Sequence, residues 1–212
     1  MAPSHDLGDP PEPIDPHCPP HPRLPPRQAS GAHVCAPSGL PHQLPYTLRT
    51  ATPCDAPDIA ALLKRAYARL LTPDYSAEDL AAALPELSAA HPAFLSSPTC
   101  FVAEGPCGRI LGCGGWSDYS PYRARSSAGL GHIHHIAADP DQIGRGIGAA
   151  IFGHVVLSAR LAGILRLNAL ATRSAAGFFR AQGMQSYGEV AMRMTPEVRF
   201  AAEDMRMEIA PL

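Results

Sequence analysis

The stretch DPDQIGRGIGAAIFGHVVLSARLAG, residues 139–163, places three alternate glycines where a strand is expected to give way to a helix. Because glycine has no Cβ, Gly144, Gly146 and Gly148 let the backbone come close to a ligand. The first amides of the following helix have no intrahelical acceptor and carry the positive end of its dipole. Arg145 adds a positive charge among the glycines. The stretch therefore predicts an anion site for a phosphate or pyrophosphate.

Two common phosphate-binding motifs do not fit this stretch. A P-loop requires a lysine followed by serine or threonine after its last glycine, whereas Ala149 and Ala150 follow Gly148. A dinucleotide-binding fingerprint requires GxGxxG and an acidic residue about 20 positions later. The spacing here is GxGxG, and residues 164–172 contain neither aspartate nor glutamate.

Composition and charge disfavour several classes of partner and location for this protein. The chain has 212 residues and a formal net charge of −2, which indicates neither nucleic acid nor an anionic membrane as a partner. No apolar run reaches the ~20 residues that cross a bilayer, and the N-terminus lacks the pattern of a signal peptide. The six cysteines form no CxxC pair, which favours reduced thiols. We expect a cytoplasmic protein.

The N-terminal region differs from the rest of the chain. The first 45 residues hold 13 of the 24 prolines and few large apolar side chains, a composition that does not build a core. We therefore predict a disordered, proline-rich extension over residues 1–44 and a folded domain over residues 45–212. Its histidines and cysteines lack ligand spacing, so no metal site is predicted there.

Hydrophobic periodicity in the domain predicts the element order βααβββαβαββ. Ser76, with Asp79 three residues later, is expected to cap the second helix. Gly163 and Gly183 are expected to end the two later helices. This order indicates an α/β or α+β domain with a central mixed sheet.

Two motifs resemble those of one superfamily. The segment IHHIAADPDQIGRGIGAAIF, residues 133–152, resembles the acetyl-CoA-binding motif of the GNAT N-acetyltransferases, a strand followed by (Gln/Arg)-x-x-Gly-x-(Gly/Ala). The segment LATRSAAGFFRAQGM, residues 170–184, resembles their second motif, Phe-Tyr-x-x-x-Gly-Phe. The resemblance implies a GNAT-like mixed, mostly antiparallel central sheet of about seven strands flanked by about four helices.

The resemblance also implies how a cofactor binds. The backbone of Ile136, Ala137 and Ala138 would pair with the pantetheine of acetyl-CoA, and Ser174 lies where the family often has an asparagine that contacts the cofactor arm. The pyrophosphate would be held by the loop residues Ile143, Gly144, Arg145, Gly146, Ile147, Gly148 and Ala149. No divalent metal is needed, because amides and the helix dipole handle the phosphates.

Two residues depart from the family pattern. Ile143 replaces the usual glutamine or arginine, which is expected to weaken cofactor binding without abolishing it. Phe179 occupies the position of a tyrosine that, in many family members, protonates the departing thiolate. The resemblance also implies that residue 179 contacts the cofactor. A phenyl ring has no acidic proton, so water or Tyr187 would have to protonate the thiolate.

His132 and His134 are the candidate bases for the acceptor amine. Strand alternation predicts that both lie on one face and His135 on the other. His132 falls where several family members carry a glutamate, and imidazole titrates near neutrality. A histidine on a strand face can also be a hydrogen-bonded side chain that only lines the site. A His-x-His pair can bind zinc, although no third ligand is evident. The oxyanion donor would be a backbone amide near Ile136.

The predicted acceptor site includes Trp116, Asp118 and Tyr119, with core packing as the alternative for Trp116 and a solvated turn for Asp118. The expected function is transfer of an acetyl group from acetyl-CoA to the amine of a small molecule. The alternatives are a catalytically weak or inactive acyl-CoA-binding domain acting as a sensor or structural module, and a different acyl donor or an O-linked acceptor. A homodimer is an assembly that the resemblance allows.

Overall fold

The structure is a computed structural model that describes residues 46–89, 92–95, 97–106, 108–119, 127–194 and 199–211. The predicted extension over residues 1–44 lies outside the described residues. Within them, no helix is long and apolar enough to cross a bilayer.

Seven strands form one sheet in the order β1-β2-β3-β4-β5-β7-β6. Only β4 and β5 are parallel, and every other neighbouring pair is antiparallel. This confirms the predicted mixed, mostly antiparallel sheet. The strands are β1 Thr47–Thr50, β2 Cys100–Glu104, β3 Ile110–Ser117, β4 Leu130–Ala138, β5 Arg166–Ala171, β6 Gln185–Arg193 and β7 Arg199–Glu208.

Among the described residues, four helices of nine or more residues accompany the sheet, as predicted, together with one short helical turn and two 3-10 turns at Pro53–Asp55 and Pro140–Gln142. The helices and the short helical turn are α1 Ala56–Leu70, α2 Ala77–Ser88, the turn α3 Pro92–Leu95, α4 Ile147–Leu161 and α5 Arg173–Ala181. Ser76 caps α2, since its side chain accepts a hydrogen bond from the amide of Asp79 at 3.0 Å. Gly163 and Gly183 have positive φ angles of 77° and 91° just after α4 and α5, as the sequence predicts.

The helices cover opposite faces of the sheet. On the α4 face, Ile151 and Val155 of α4 pack with Leu167 and Met205 in one apolar cluster that also includes α5 residues. On the α1 face, the predicted stripe of α1 packs against β2 and β3, and α2 packs against Phe200 of β7. The buried members of that stripe are Ile59, Leu62, Leu63 and Ala66. Burial of these side chains fixes α1 and α4 at either side of β4.

The cysteines follow the expectation in part. Cys100 and Cys113 are buried free thiols, and burial raises the pKa of the Cys100 thiol to about 12. Cys54 is disulfide-bonded, so the expectation of reduced thiols is wrong at this residue.

Candidate functional site

The two parallel strands at the centre of the sheet separate along their length. β4 and β5 pair at Leu130–Arg166, Gly131–Leu167 and His132–Asn168, and their pairing ends there. Beyond that point β4 remains paired with β3, and β5 with β7. An open edge of backbone groups therefore remains on each strand. We use the word cleft for the gap in pairing between the carboxyl-terminal parts of β4 and β5, residues 133–138 and 169–171.

A bulge in β4 shapes one wall of this cleft. Gly115 of β3 lies opposite His134, but Cys113 lies opposite Ala137, so two residues of β4 face one of β3. His135 lies in the bulge with a φ of 51°, a left-handed conformation that histidine adopts more readily than most residues. The Cys113 thiol donates a hydrogen bond to the carbonyl oxygen of His135, at 3.6 Å.

The bulge changes which face the histidines occupy. The rings of His134 and His135 lie 5.3 and 5.7 Å from the ring of Phe94 in α3, so both are on the α1 face. The expectation that strand alternation places His135 on the opposite face from His134 is therefore wrong. After the bulge, Ile136 packs with the α4 cluster and Ala137 with the α1 cluster.

All three histidines of β4 are biased toward the neutral form. Burial lowers the pKa of His134 to about 4, with His135 and His132 adding to the effect, and the Oγ of Ser117 lies 2.9 Å from His134 Nε2. Burial also lowers the pKa of His135 to about 4. Burial lowers the pKa of His132 as well, but there the negative charge of Asp204 opposes the shift. Neutral imidazoles accept protons, and His132 is the one beside a carboxylate.

These pKa values predict how stability depends on pH. The unfolded chain binds protons at His134 and His135 below about pH 6.5, whereas the folded chain does so only near pH 4. The free energy of unfolding should therefore fall as the pH drops from 6.5 to 4, by up to about 1.4 kcal/mol per pH unit for each residue. Urea unfolding at several pH values measures this slope. The variant His135→Asn, which tolerates the left-handed backbone, should have a shallower slope, and an unchanged slope would contradict the assignment.

The glycine loop between β4 and α4 presents free backbone amides. Gly144 and Gly146 have φ angles of 80° and 77°, and a Cβ built on either would meet no atom within 4 Å. Gly146 is the N-cap of the 15-residue helix α4, and no side chain caps that helix. In the described part of the chain, no group accepts a hydrogen bond from the amides of Gly146, Ile147, Gly148 and Ala149. Unpaired amides at the positive end of a long helix can bind an anion.

The third glycine has a different role. Gly148 lies within α4, and a Cβ there would approach the ring of Phe178 to 3.3 Å. Gly148 therefore permits close packing of α5 against the first turn of α4. Ile143 and Arg145 are exposed on the loop and Ala149 in the first turn of α4, and Ile143 has 56% of its surface accessible.

Asp139 anchors this loop, and the sequence analysis did not single it out. Its side chain is 1% exposed, its Oδ1 accepts a hydrogen bond from the amide of Asp141 at 3.0 Å, and its Oδ2 is paired with Arg109 and Arg65. Burial opposes ionisation, but these hydrogen bonds and cations hold the pKa of Asp139 below its usual range. The aspartate before Pro140 is a typical capping signal that could have identified it.

We expect Asp139→Asn to lower the free energy of unfolding by roughly 1–3 kcal/mol, because the two arginines lose a buried anionic partner. Both arginines are half-exposed and regain water, which limits the loss. Asp141→Asn is the matched control, since its ion pair with Arg69 is exposed and should be worth less than about 1 kcal/mol. Urea denaturation measures both, and equal effects would contradict an anchoring role for Asp139.

Three residues predicted to contact the cofactor or the thiolate lie on or near α5, one in the core, one at the surface and one on an edge strand. Phe179 is 5% exposed and packs in the core, its ring centroid 6.0 Å from that of Phe152. Ser174 is exposed in the first turn of α5, with its Oγ 3.3 Å from the hydroxyl of Thr172. Tyr187 lies on the edge strand β6 over the guanidinium of Arg206, and β5 and β7 separate it from β4.

The three residues predicted to line the acceptor site lie in and just after β3. Trp116 is 5% exposed and faces α4, where its indole N–H donates a hydrogen bond to Ser158 Oγ at 3.1 Å. Asp118 and Tyr119 follow the end of β3, and Tyr119 is exposed. Ser117, which the sequence analysis did not single out, links this end of β3 to His134. Among the described residues, no cluster of three or more histidine, cysteine or acidic side chains could hold a metal.

Comparison with known proteins agrees with this geometry. Residues 96–185 match the family model described as acetyltransferase (GNAT) domain. A GCN5-related N-acetyltransferase structure from Rhodopseudomonas palustris has a TM-score of 0.63 and 24% identity, covering 80% of this chain and 99% of that one. A GNAT family acetyltransferase from Brucella melitensis, in complex with acetyl-CoA, has a TM-score of 0.51 and 20% identity, covering 80% and 91%.

A third structure is N-acetylglutamate synthase from Neisseria gonorrhoeae, complexed with coenzyme A and N-acetyl-glutamate. It has a TM-score of 0.52 and 22% identity, covering 80% of this chain and 36% of that one. A search of curated proteins gives no match. The predicted resemblance is confirmed: the protein carries a GNAT acetyltransferase domain match across its central strands and has the fold of solved GNAT proteins.

Proposed function

We propose that the protein transfers an acetyl group from acetyl-CoA to the amine of a small molecule. The observation that carries this proposal is the set of unpaired amides from Gly146 to Ala149, which lies where β4 leads into α4. An anion site at the end of an open strand suits a ligand with a pyrophosphate and a long hydrogen-bonding arm. The Brucella melitensis structure of this fold is a complex with acetyl-CoA, which supports that choice of donor.

Each wall of the cleft has a role in this proposal. The loop from Ile143 to Ala149 binds the pyrophosphate through its amides and the α4 dipole. The open edge of Ile136, Ala137 and Ala138 pairs with the pantetheine arm in the manner of an added strand. Ser174, near the start of α5, contacts the same arm. Binding uses amides rather than a metal ion.

The chemistry is acyl transfer by direct attack. The amine nitrogen of the acceptor bonds to the thioester carbonyl carbon, the bond from that carbon to sulfur breaks, and the amine proton passes to a base. His132 accepts this proton, directly or through water. A backbone amide near Ile136 donates to the carbonyl oxygen as it gains negative charge. The thiolate leaves readily because the thiol has a pKa of roughly 8–9, by analogy with cysteine, and it takes up a proton from the solvent after it has left.

His132 suits the role of base better than His134. Burial lowers the pKa of His134 to about 4, and a base that weak abstracts a proton from an ammonium group inefficiently. The charge of Asp204 supports protonation of His132. His132 also lies at the last β4–β5 pair, where the cleft begins.

One observation favours a second candidate, a catalytically weak or inactive acyl-CoA-binding domain. Phe179 is packed in the core and supplies no hydroxyl at the position that resembles the usual acid. Two measurements separate the candidates: calorimetric binding of acetyl-CoA, and thiol release with a panel of amines. Binding with turnover supports the transferase, binding without turnover supports the second candidate, and no binding of any CoA species contradicts both.

A further inference from the structure

Two polar side chains of β5 each carry a buried atom that no described residue pairs with. Arg166 and Asn168 alternate with Leu167 and Ala169, which are buried in the α4 cluster, so both polar side chains lie on the α1 face. Arg166 Nε and Asn168 Oδ1 are buried atoms without a hydrogen-bond partner among the described residues. We call Arg166 and Asn168 the β5 polar pair. A buried polar atom without a partner costs free energy, and a ligand that supplies the missing partner recovers it.

The charge of Arg166 is also unbalanced. No carboxylate of the described residues lies within ion-pair distance of its guanidinium. The β7 residue directly opposite Arg166 is Glu208, and no ion pair joins the two. Arg206 lies opposite Asn168, and its guanidinium donates two hydrogen bonds to Asp204, at 2.6 and 3.2 Å. Glu208 is exposed, so Arg166 is a half-buried cation that makes no ion pair among the described residues and can pair with an anion.

The β5 polar pair lies beside the proposed base. Asn168 is the β5 partner of His132 at the last paired position before the cleft opens. Arg166 is two residues earlier on the same face, a separation of roughly 6–7 Å along the strand. The row from His132 through Asn168 to Arg166 therefore presents two hydrogen-bond acceptors nearest the cleft and a cationic donor farther from it.

We propose that the acceptor is an amine that also carries a carboxylate, with a free α-amino acid as the simplest case. Arg166 binds the carboxylate, and Asn168 Oδ1 accepts a hydrogen bond from the amine and directs it to His132. In an α-amino acid the amine and the carboxylate are joined through one carbon, and that span matches neighbouring side chains on one strand. This assignment rests on the proposed transferase function and adds the class of acceptor.

The test compares acceptors with and without the carboxylate. Thiol release from acetyl-CoA is measured for L-phenylalanine against phenethylamine, L-leucine against 3-methylbutylamine, and L-lysine against 1,5-diaminopentane. The amino acid of at least one pair should have a kcat/KM at least tenfold above that of its matched amine. Amino acids and amines used equally well would overturn the proposal while leaving acetyl transfer intact.

Variants separate the roles within the β5 polar pair. Arg166→Met should raise KM for the amino acid about 10- to 100-fold, the loss expected for a charge-assisted hydrogen bond, with kcat and the matched amine changed little. Arg166→Lys should recover part of the loss. Asn168→Ala should impair amino acid and amine alike. Arg193→Met, on an exposed arginine of β6, is the control and should have no effect.

A binding measurement tests the acceptor assignment without turnover. The full chain is saturated with coenzyme A and titrated calorimetrically with the same amino acids and amines. Amino acid binding that Arg166→Met weakens at least tenfold would support the proposal even in a chain that releases no thiol, in which case only the transferase function fails. No binding of any amino acid, or binding that Arg166→Met leaves unchanged, would overturn it.

Discussion

Gly146→Asp should raise the Kd for acetyl-CoA at least 100-fold. The Cβ of residue 146 would point into open space in front of the free amides of α4, and a carboxylate there would repel the pyrophosphate. It would also accept hydrogen bonds from the amides that the ligand needs, as N-cap aspartates do. Isothermal titration calorimetry measures the change.

The matched control for this substitution is Gly146→Asn. Both asparagine and aspartate tolerate the left-handed conformation that residue 146 requires, with a φ of 77°. The two variants have nearly the same shape and differ in charge, so the asparagine variant should lose much less affinity. Gly153→Asp, on an exposed position of α4 with no neighbour within 4 Å, should bind normally. Unchanged affinity in Gly146→Asp would remove the pyrophosphate from this loop.

His132→Ala should lower kcat/KM for the acceptor by roughly 10²–10⁴-fold, the usual contribution of a general base. Burial lowers the pKa of His132 despite the opposing charge of Asp204, so the acid limb of the wild-type profile should have its midpoint below 6.5. The limb due to His132 should disappear in the variant. The loss should be larger at pH 7 than at pH 9, where more of the amine is already deprotonated. Steady-state profiles of kcat/KM against pH measure these effects.

Two comparisons decide whether His132 is the general base or a side chain that only lines the site. His134→Gln should reduce kcat/KM by less than tenfold, because burial already makes this imidazole a weak base with a pKa of about 4. Acetyl-CoA affinity should be unchanged in His132→Ala, since His132 is not in the glycine loop. An unaltered pH profile in His132→Ala would exclude it as the base.

Much of the fold could be predicted from local sequence signals. The seven strands, the Ser76 cap of α2, and the left-handed glycines after α4 and α5 follow from alternation, capping and the backbone freedom of glycine. The short turn α3 was not predicted, because four residues carry too little periodic signal.

Some features of the candidate site could also be predicted from the sequence, and others could not. The glycine loop was predictable as an open strand-to-helix junction because its glycines are adjacent in the chain. The left-handed backbone of Gly144 and Gly146 is a finding of the structure. The side on which His135 lies was predicted wrongly, because a bulge in β4 depends on pairing with β3, which alternation along one strand does not report. The role of Gly148 likewise depends on Phe178, thirty residues away.

The sequence by itself determined that a strand, a glycine loop and the helix α4 follow one another, because alternation, glycine spacing and helical periodicity are properties of neighbouring residues. Only the tertiary structure decided that Trp116 faces α4 and that Asp139 pairs with Arg109 and Arg65. It also decided that Arg166 Nε and Asn168 Oδ1 have no hydrogen-bond partner among the described residues. The physical reason is that the burial and pairing of a side chain depend on which distant segments pack together. The sheet order β4-β5-β7 determines which segments become neighbours.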